Sequence, residues 1–447
     1  MNNKLILVFS LLCSFVLFSQ ENKRSFSLQE AIVYGQENNR NIKNANLNIL
    51  AAEQQVWTTT ALGLPQINGA IDYQTYLQTP FETNNSGSAD PEASVNPFSF
   101  FFPNHNLTPS ITLSQLLFDG GYIVGLQSNK VFLEISKNAK DKTVNNIETD
   151  IVSAYNNALL TKESIAIMKN NISTLSSNLN ETTKIFENGL TEEEDVEQLQ
   201  LTLSNLENNL KSLETLYDIS KGYLKILLGI DPEETITLTD TLEDLITKNI
   251  SLDLINSDHP VSNNIDYKIA ENEVQSKQLE YKLEKSEQLP KINAFITSNY
   301  IGISDEFSNL FKREQDWLFT TVAGASLKIP IFSSFGGKAK RQKAKIEWDI
   351  AKNNLIVAKN TLSLQFKNAK NEYTLAIDTY ANKQKNLTLA EKIERKNTIK
   401  FKEGISGSFD LRQAQLQLYT SQQEYLQAII DVINKRATLK NLLNIKQ

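Results

Sequence analysis

Two long stretches of the chain place apolar or small side chains at alternating intervals of three and four residues. The first runs through Val144, Ile147, Ile151, Ala154, Ala158, Thr161, Ile165, Met168, Ile172, Leu175, Leu179, Thr182 and Phe186. The second keeps the same phase at Leu362, Phe366, Ala369, Tyr373, Ala376, Tyr380, Leu387 and Ala390, with Lys383 interrupting. Such an alternation is a heptad seam, which winds a helix left-handed about a partner. Helix-breaking residues stay out of both stretches: prolines are missing from 110–231 and 331–447, and no glycine falls between Gly125 and Gly189 or between Gly337 and Gly404. At 1.5 Å per residue, each tract predicts a helix of roughly 95 Å.

The pattern occurs twice because the chain is internally duplicated. Phe186 to Ile230 aligns without gaps on Phe401 to Ile445 at a constant offset of 215, pairing Gly189 with Gly404, Asp195 with Asp410 and Gln198 with Gln413. Asn188-Gly189 predicts a left-handed helix end, and Thr191 with Glu194 predicts a capping box for the next helix. The second copy offers Gly404 and Ser406 but lacks the acid. Each repeat therefore holds a long helical hairpin, with tips near 187–192 and 402–408.

Away from the tips the period changes from seven to two. Leu-Pro at Pro65 and again at Pro290 opens candidate strands at about 66–78 and 291–302; Ile67, Ile71, Tyr73 and Leu77 alternate with Asn68, Asp72 and Gln74. Second strands at about 107–118 and 318–331 end at glycine pairs, Gly120-Gly121 and Gly336-Gly337, where helix resumes. Strands of this length and rhythm suit a transmembrane barrel wall or a small soluble sheet on a coiled coil. Four strands do not close a barrel, and lipid does not tolerate open edges, so the membrane reading needs several chains. Phe98, Phe100, Phe101 and Phe102, in the polar segment 79–106, suit an interfacial aromatic girdle or packing beneath that segment, and ITLTD in the connection 231–262 suits a short strand.

Composition narrows the chemistry. With 45 basic and 52 acidic residues the net charge is −7, which argues against a nucleic-acid surface. Residues 1–19 have the polar start, apolar stretch and small final residue of a signal peptide. The single cysteine, Cys13, lies inside it, so neither a disulfide nor a thiolate metal site is expected. His105 and His259 fall in polar segments and read as solvated. No serine–histidine–aspartate arrangement, phosphate loop or enclosed carboxylate pair stands out, so catalysis, a cofactor and a metal are not expected. The basic cluster Lys338, Lys340, Arg341, Lys343 and Lys345 suits lipid headgroups, a tunnel wall or a solvated helix face.

In their order and duplication, LPQI and LPKI at the strand entries, LFDGG and FGG at the exits, and the paired FxxG turns followed by Asp195 and Asp410 resemble the TolC-type outer-membrane efflux proteins. The resemblance runs from SLQEAI at Ser27 to the C-terminus. It implies a mainly α fold with a small β part: a first repeat at 20–230, a connection at 231–262 and a second repeat at 263–447. Three copies would form a twelve-stranded β-barrel in the outer membrane of a Gram-negative bacterium, continued by a periplasmic α-barrel.

The resemblance also assigns partners and roles. The partners are two further copies of the chain, outer-membrane lipid, a periplasmic adaptor and an inner-membrane transporter, with no nucleic acid. Gly189, Leu190, Thr191, Gly404, Ile405 and Ser406 would contact the adaptor; Asp195, Asp410, Glu192, Glu193, Glu194 and Gln413 would line the periplasmic entrance; Pro65, Gly120, Gly121, Pro290, Gly336 and Gly337 would mark strand–helix junctions. The chain would be the passive exit duct of a tripartite efflux or type I secretion system. A periplasmic coiled-coil adaptor or spacer is the alternative.

Overall fold

The computed structural model describes residues 24–77, 104–250, 253–256 and 260–445. The expected leader, Cys13, the aromatic run Phe98 to Phe102 and His259 lie outside these. In chain order the elements are β1 (Arg24–Phe26), α1 (Leu28–Asn38), α2 (Arg40–Ala61), β2 (Gln66–Thr75), β3 (His105–Phe118), α3 (Gly120–Glu187), α4 (Glu193–Leu228), β4 (Ile236–Leu238) and α5 (Leu242–Asn249). A helical turn at Asp253–Asn256 precedes α6 (Ile265–Ser286), β5 (Lys291–Ser304), β6 (Trp317–Lys328), α7 (Gly336–Lys402) and α8 (Ser408–Leu443). The two heptad tracts are single helices, α3 with 68 residues and α7 with 67.

The chain divides into two compact units, and each draws on both sequence repeats. The first takes its described residues from Met1–Ile49, Ser136–Glu271 and Asn354–Gln447. Its core is where the seams meet: Ile151, Tyr155, Leu159, Leu224, Tyr373, Ile429 and Val432 are buried. Full burial of one such side chain contributes about 1.5–3 kcal/mol. Amides stitch α3 to α8: Asn156 Nδ2 donates to Asn434 Oδ1 at 3.0 Å, Asn441 Nδ2 to Thr149 Oγ1 at 2.8 Å, and Asn171 Nδ2 to Gln422 Oε1 at 2.9 Å. Lys383, which breaks the second seam, pairs instead with Glu424 on α8 at 2.9 Å.

The expected strand in ITLTD is β4, and it pairs in parallel with β1, which periodicity does not reveal. Beside this small sheet the buried Tyr155 hydroxyl shares its one hydrogen between the Phe26 carbonyl at 2.9 Å and Asp240 Oδ2 at 3.0 Å; Asp240 also accepts from the Leu28 N–H at 2.6 Å. Burial raises the Tyr155 phenol well above its ordinary value and keeps it a donor. Ser27 and Glu30 form a reciprocal capping box at the start of α1.

The second unit, from Leu50–Ile135 and Asn272–Asn353, holds an antiparallel sheet in the order β2-β3-β5-β6. Its register sorts side chains by polarity. Ile67, Leu113, Ile296 and Ala323 form one row across the sheet, and Tyr300 lies beside Phe319 on the same face. The opposite face carries the rows Asn68, Thr112, Thr297, Val322 and Ala70, Ser110, Asn299, Thr320. On the apolar face Ser298 and Thr321 bond one another at 3.0 Å, which lowers the cost of their hydroxyls there. The outer strands β2 and β6 pair with no further strand among the described residues.

Some sequence expectations shift. β2 stops at Thr75, short of Leu77, and β6 stops at Lys328, before Pro330, which has no N–H to give a ladder. His105 is not a solvated loop residue: it opens β3, is half-buried, shares a 2.8 Å hydrogen bond with the Tyr73 hydroxyl and stacks on its ring. The helices resume at Gly120 and Gly336 as expected. A Cβ on Gly120 would come within 2.8 Å of Leu289 Cδ1, so the junction is closely packed.

Candidate functional site

The two hairpin turns are built alike. Gly189 (φ 73°) and Gly404 (φ 69°) adopt the left-handed conformation that favours glycine. The Gly189 N–H bonds the Phe186 carbonyl at 2.7 Å and the Leu190 N–H bonds that of Ile185 at 3.1 Å; Gly404 and Ile405 repeat this on Phe401 at 3.0 Å and Lys400 at 2.8 Å. These bonds satisfy carbonyls at the helix end and turn the next residue outward. Leu190 and Ile405 are accordingly 78% and 74% exposed.

Past the turns the copies diverge. Thr191 and Glu194 do not form the expected capping box: Glu192 occupies the cap position without a side-chain bond, which puts Glu194 one place too early, and the Thr191 hydroxyl donates to Asp195 instead. The buried Ser408, at the start of α8, donates its hydroxyl to the other oxygen of Asp195. Asp195 therefore joins the first turn to the second.

Its duplicate, Asp410, is exposed and has no hydrogen bond or ion pair among the described residues. Glu192, Glu193, Glu194 and Gln413 are also exposed. Glu193, Glu194 and Asp195 in the first turn of α4, and Asp410 in that of α8, meet the positive end of a helix dipole. Glu194 accepts from Gln198 Nε2 at 2.7 Å, and Lys402 reaches Glu181 on α3 at 3.0 Å.

Below the tips a small apolar cluster of Leu175, Leu199 and Leu206 holds α3 to α4, with Tyr419 of α8 packed against it. Burial, then the nearby Glu394 carboxylate, pushes the Tyr419 phenol up to about 12. The sequence reading missed Ser408 as a partner of Asp195; its signal was the offset, which sets Ser408 on Glu193. It also missed Phe409, which is 61% exposed with the Arg412 guanidinium 5.5 Å from its ring centre.

At the junctions Asp119 accepts the Gly121 N–H at 2.6 Å and pairs with Lys291 at 3.2 Å, tying the first junction to the strand after Pro290. Pro65 lies just before β2. In the basic cluster Lys338, Lys340, Lys343 and Lys345 are exposed and Arg341 is half-buried; Lys343 pairs with Glu347 at 3.7 Å. Among the described residues no group of histidine, aspartate and glutamate is arranged to hold a metal, and no helix is long and apolar enough to cross a membrane.

Residues 261–444 match the family described as "Outer membrane efflux protein". The fold matches solved outer-membrane channels. The Campylobacter jejuni CmeC outer membrane channel aligns with TM-score 0.75 and 15% identity over 93% of this chain and 85% of that one. A CusC structure aligns with TM-score 0.73 and 15% identity over 93% and 91%. The outer membrane protein VceC of Vibrio cholerae aligns with TM-score 0.70 and 14% identity over 93% and 95%. No curated protein sequence matches.

Proposed function

We propose that this chain, whose residues 261–444 match the outer membrane efflux protein family and whose fold is that of outer-membrane channels, forms the outer-membrane exit duct of a tripartite efflux or type I secretion system. Three copies close a twelve-stranded barrel in the outer membrane, their long helices line a periplasmic tunnel, and substrates arrive from an inner-membrane transporter through a periplasmic adaptor. The chain contributes a passage and no chemical step.

The sheet register carries this reading. One face is mainly apolar, with Ser298 and Thr321 bonded to one another on it, and the other is mainly polar, with Phe295, Ile301, Leu318 and Val322 among its polar rows, the bias that a wall between lipid and water requires. Its edge strands point in opposite directions, because each neighbour in β2-β3-β5-β6 is antiparallel. The β6 edge of one copy thus suits antiparallel pairing with the β2 edge of the next, and closure removes the unpaired backbone groups that lipid penalises.

At the other end of the duct the exposed Leu190 and Ile405, with Gly189, Thr191, Gly404 and Ser406, present the adaptor-binding turns. Asp195, Glu192, Glu193, Glu194, Asp410 and Gln413 form the entrance, where repeated carboxylates favour cations. The test is to isolate the mature protein from outer membranes and reconstitute it in planar bilayers. A heat-modifiable trimer with cation-selective conductance supports the proposal; a salt-extractable monomer that stays soluble without detergent overturns it.

A further inference from the structure

Within one chain α3 of the first repeat lies against α8 of the second, with Thr149 opposite Asn441 and Asn156 opposite Asn434. The offset of 215 carries α3 onto α7 and α8 onto α4. It therefore specifies a second contact, between α7 and α4, in which Leu364 (from Thr149) stands opposite Ile226 (from Asn441). Following the two antiparallel helices in that register, to within one residue, sets Leu375 opposite Leu216 and Leu389 opposite Leu201. All six side chains are between 49% and 65% exposed in the single chain. The offset was fixed by the turns and the register by buried amides, so neither was chosen to match these apolar pairs.

We infer that α4 of one copy docks on α7 of the next, with Ile226, Leu216 and Leu201 facing Leu364, Leu375 and Leu389. This rests on the ring proposed above and specifies its helical seam. The contact joins different faces of two identical chains, the head-to-tail kind that closes into a ring. Like the open β6 and β2 edges, it pairs a second repeat with a first. Where the intrachain contact uses amides, the contact between copies uses leucine and isoleucine, whose burial is the driving force for association.

The mature chain is expected to lack cysteine, so disulfide trapping in outer membranes has little background. The double variants Leu201→Cys/Leu389→Cys and Leu216→Cys/Leu375→Cys are compared with the mismatched Leu201→Cys/Leu375→Cys under mild oxidation, and native mass spectrometry counts subunits in each preparation. Both matched pairs should give covalent dimers and trimers at least tenfold above the mismatched pair. An intact trimer in which the matched pairs trap no better than the mismatched one overturns this register and leaves the ring standing. A monomer overturns both.

Discussion

Asp195 accepts hydroxyl hydrogen bonds from Thr191 on its own turn and from Ser408 on the other, so one carboxylate holds two hairpin tips together. Hydrogen bonds to a charged group contribute about 1.5–3 kcal/mol each, and about 1.4 kcal/mol is a tenfold change in an equilibrium. Asp195→Asn and Ser408→Ala should each raise the resting conductance of the reconstituted channel roughly tenfold. Asp410→Asn, at an exposed carboxylate without such bonds, should change cation selectivity without raising resting conductance above the parent value. Equal conductance in parent and Ser408→Ala would remove the latch. Tyr155 poses a purely structural case. Tyr155→Phe leaves Asp240 and the Phe26 carbonyl short of a donor in a buried setting, so stability should fall by about 1–3 kcal/mol in denaturant melts, with channel properties unchanged in the folded fraction.

At the scale of elements, what the sequence announced and what it concealed differ by length. Helices α3 and α7 were legible because a seam of a dozen positions averages out a lapse such as Lys383, which the fold then pairs with Glu424. The four long strands were legible because ten or more residues show period two, and their limits moved by only a few residues. β1, with three residues, has too few positions to show any period, and its partner β4 lies more than two hundred residues away. The capping box failed for a local reason: Thr191 had two acids within reach, and its hydroxyl went to Asp195. Ser408 was concealed because its partner lies on another helix. The strand register yields a test at this scale. Ala323 shares a row with Ile67, Leu113 and Ile296, whereas Thr320 shares one with Ser110 and Asn299. Ala323→Arg should destabilise the barrel by about 2–4 kcal/mol and lower the temperature at which the trimer loses heat-modifiable mobility, while Thr320→Arg should be tolerated and alter ion selectivity. Equal damage from both would mean that the apolar face does not meet lipid.

For the whole molecule, the proposed ring of three chains would bring together six hairpin tips through six contacts, three within a chain and three between neighbours. The contact within a chain is Ser408 with Asp195. Moved by 215, it becomes Glu193 with Asp410, one from each of two neighbouring copies. Where the first contact has a hydroxyl donor and a carboxylate acceptor, the second sets two carboxylates together, and these repel at neutral pH unless a cation lies between them. The proposed ring would thus alternate latched and unlatched tips, with a closed entrance weaker between subunits than within them. Glu193→Ser restores the pairing that Ser408 makes, removes one negative charge from each copy and gives Asp410 a donor. Its predicted effect is opposite to that of Asp195→Asn: lower resting conductance in planar bilayers, with trimer content and thermal stability at parent values. Substituting Glu193→Gln separates the two contributions, since it removes the charge but places a longer amide where the short hydroxyl fits. If Glu193→Ser conducts as much as the parent or more, tips of neighbouring copies do not meet as the offset requires.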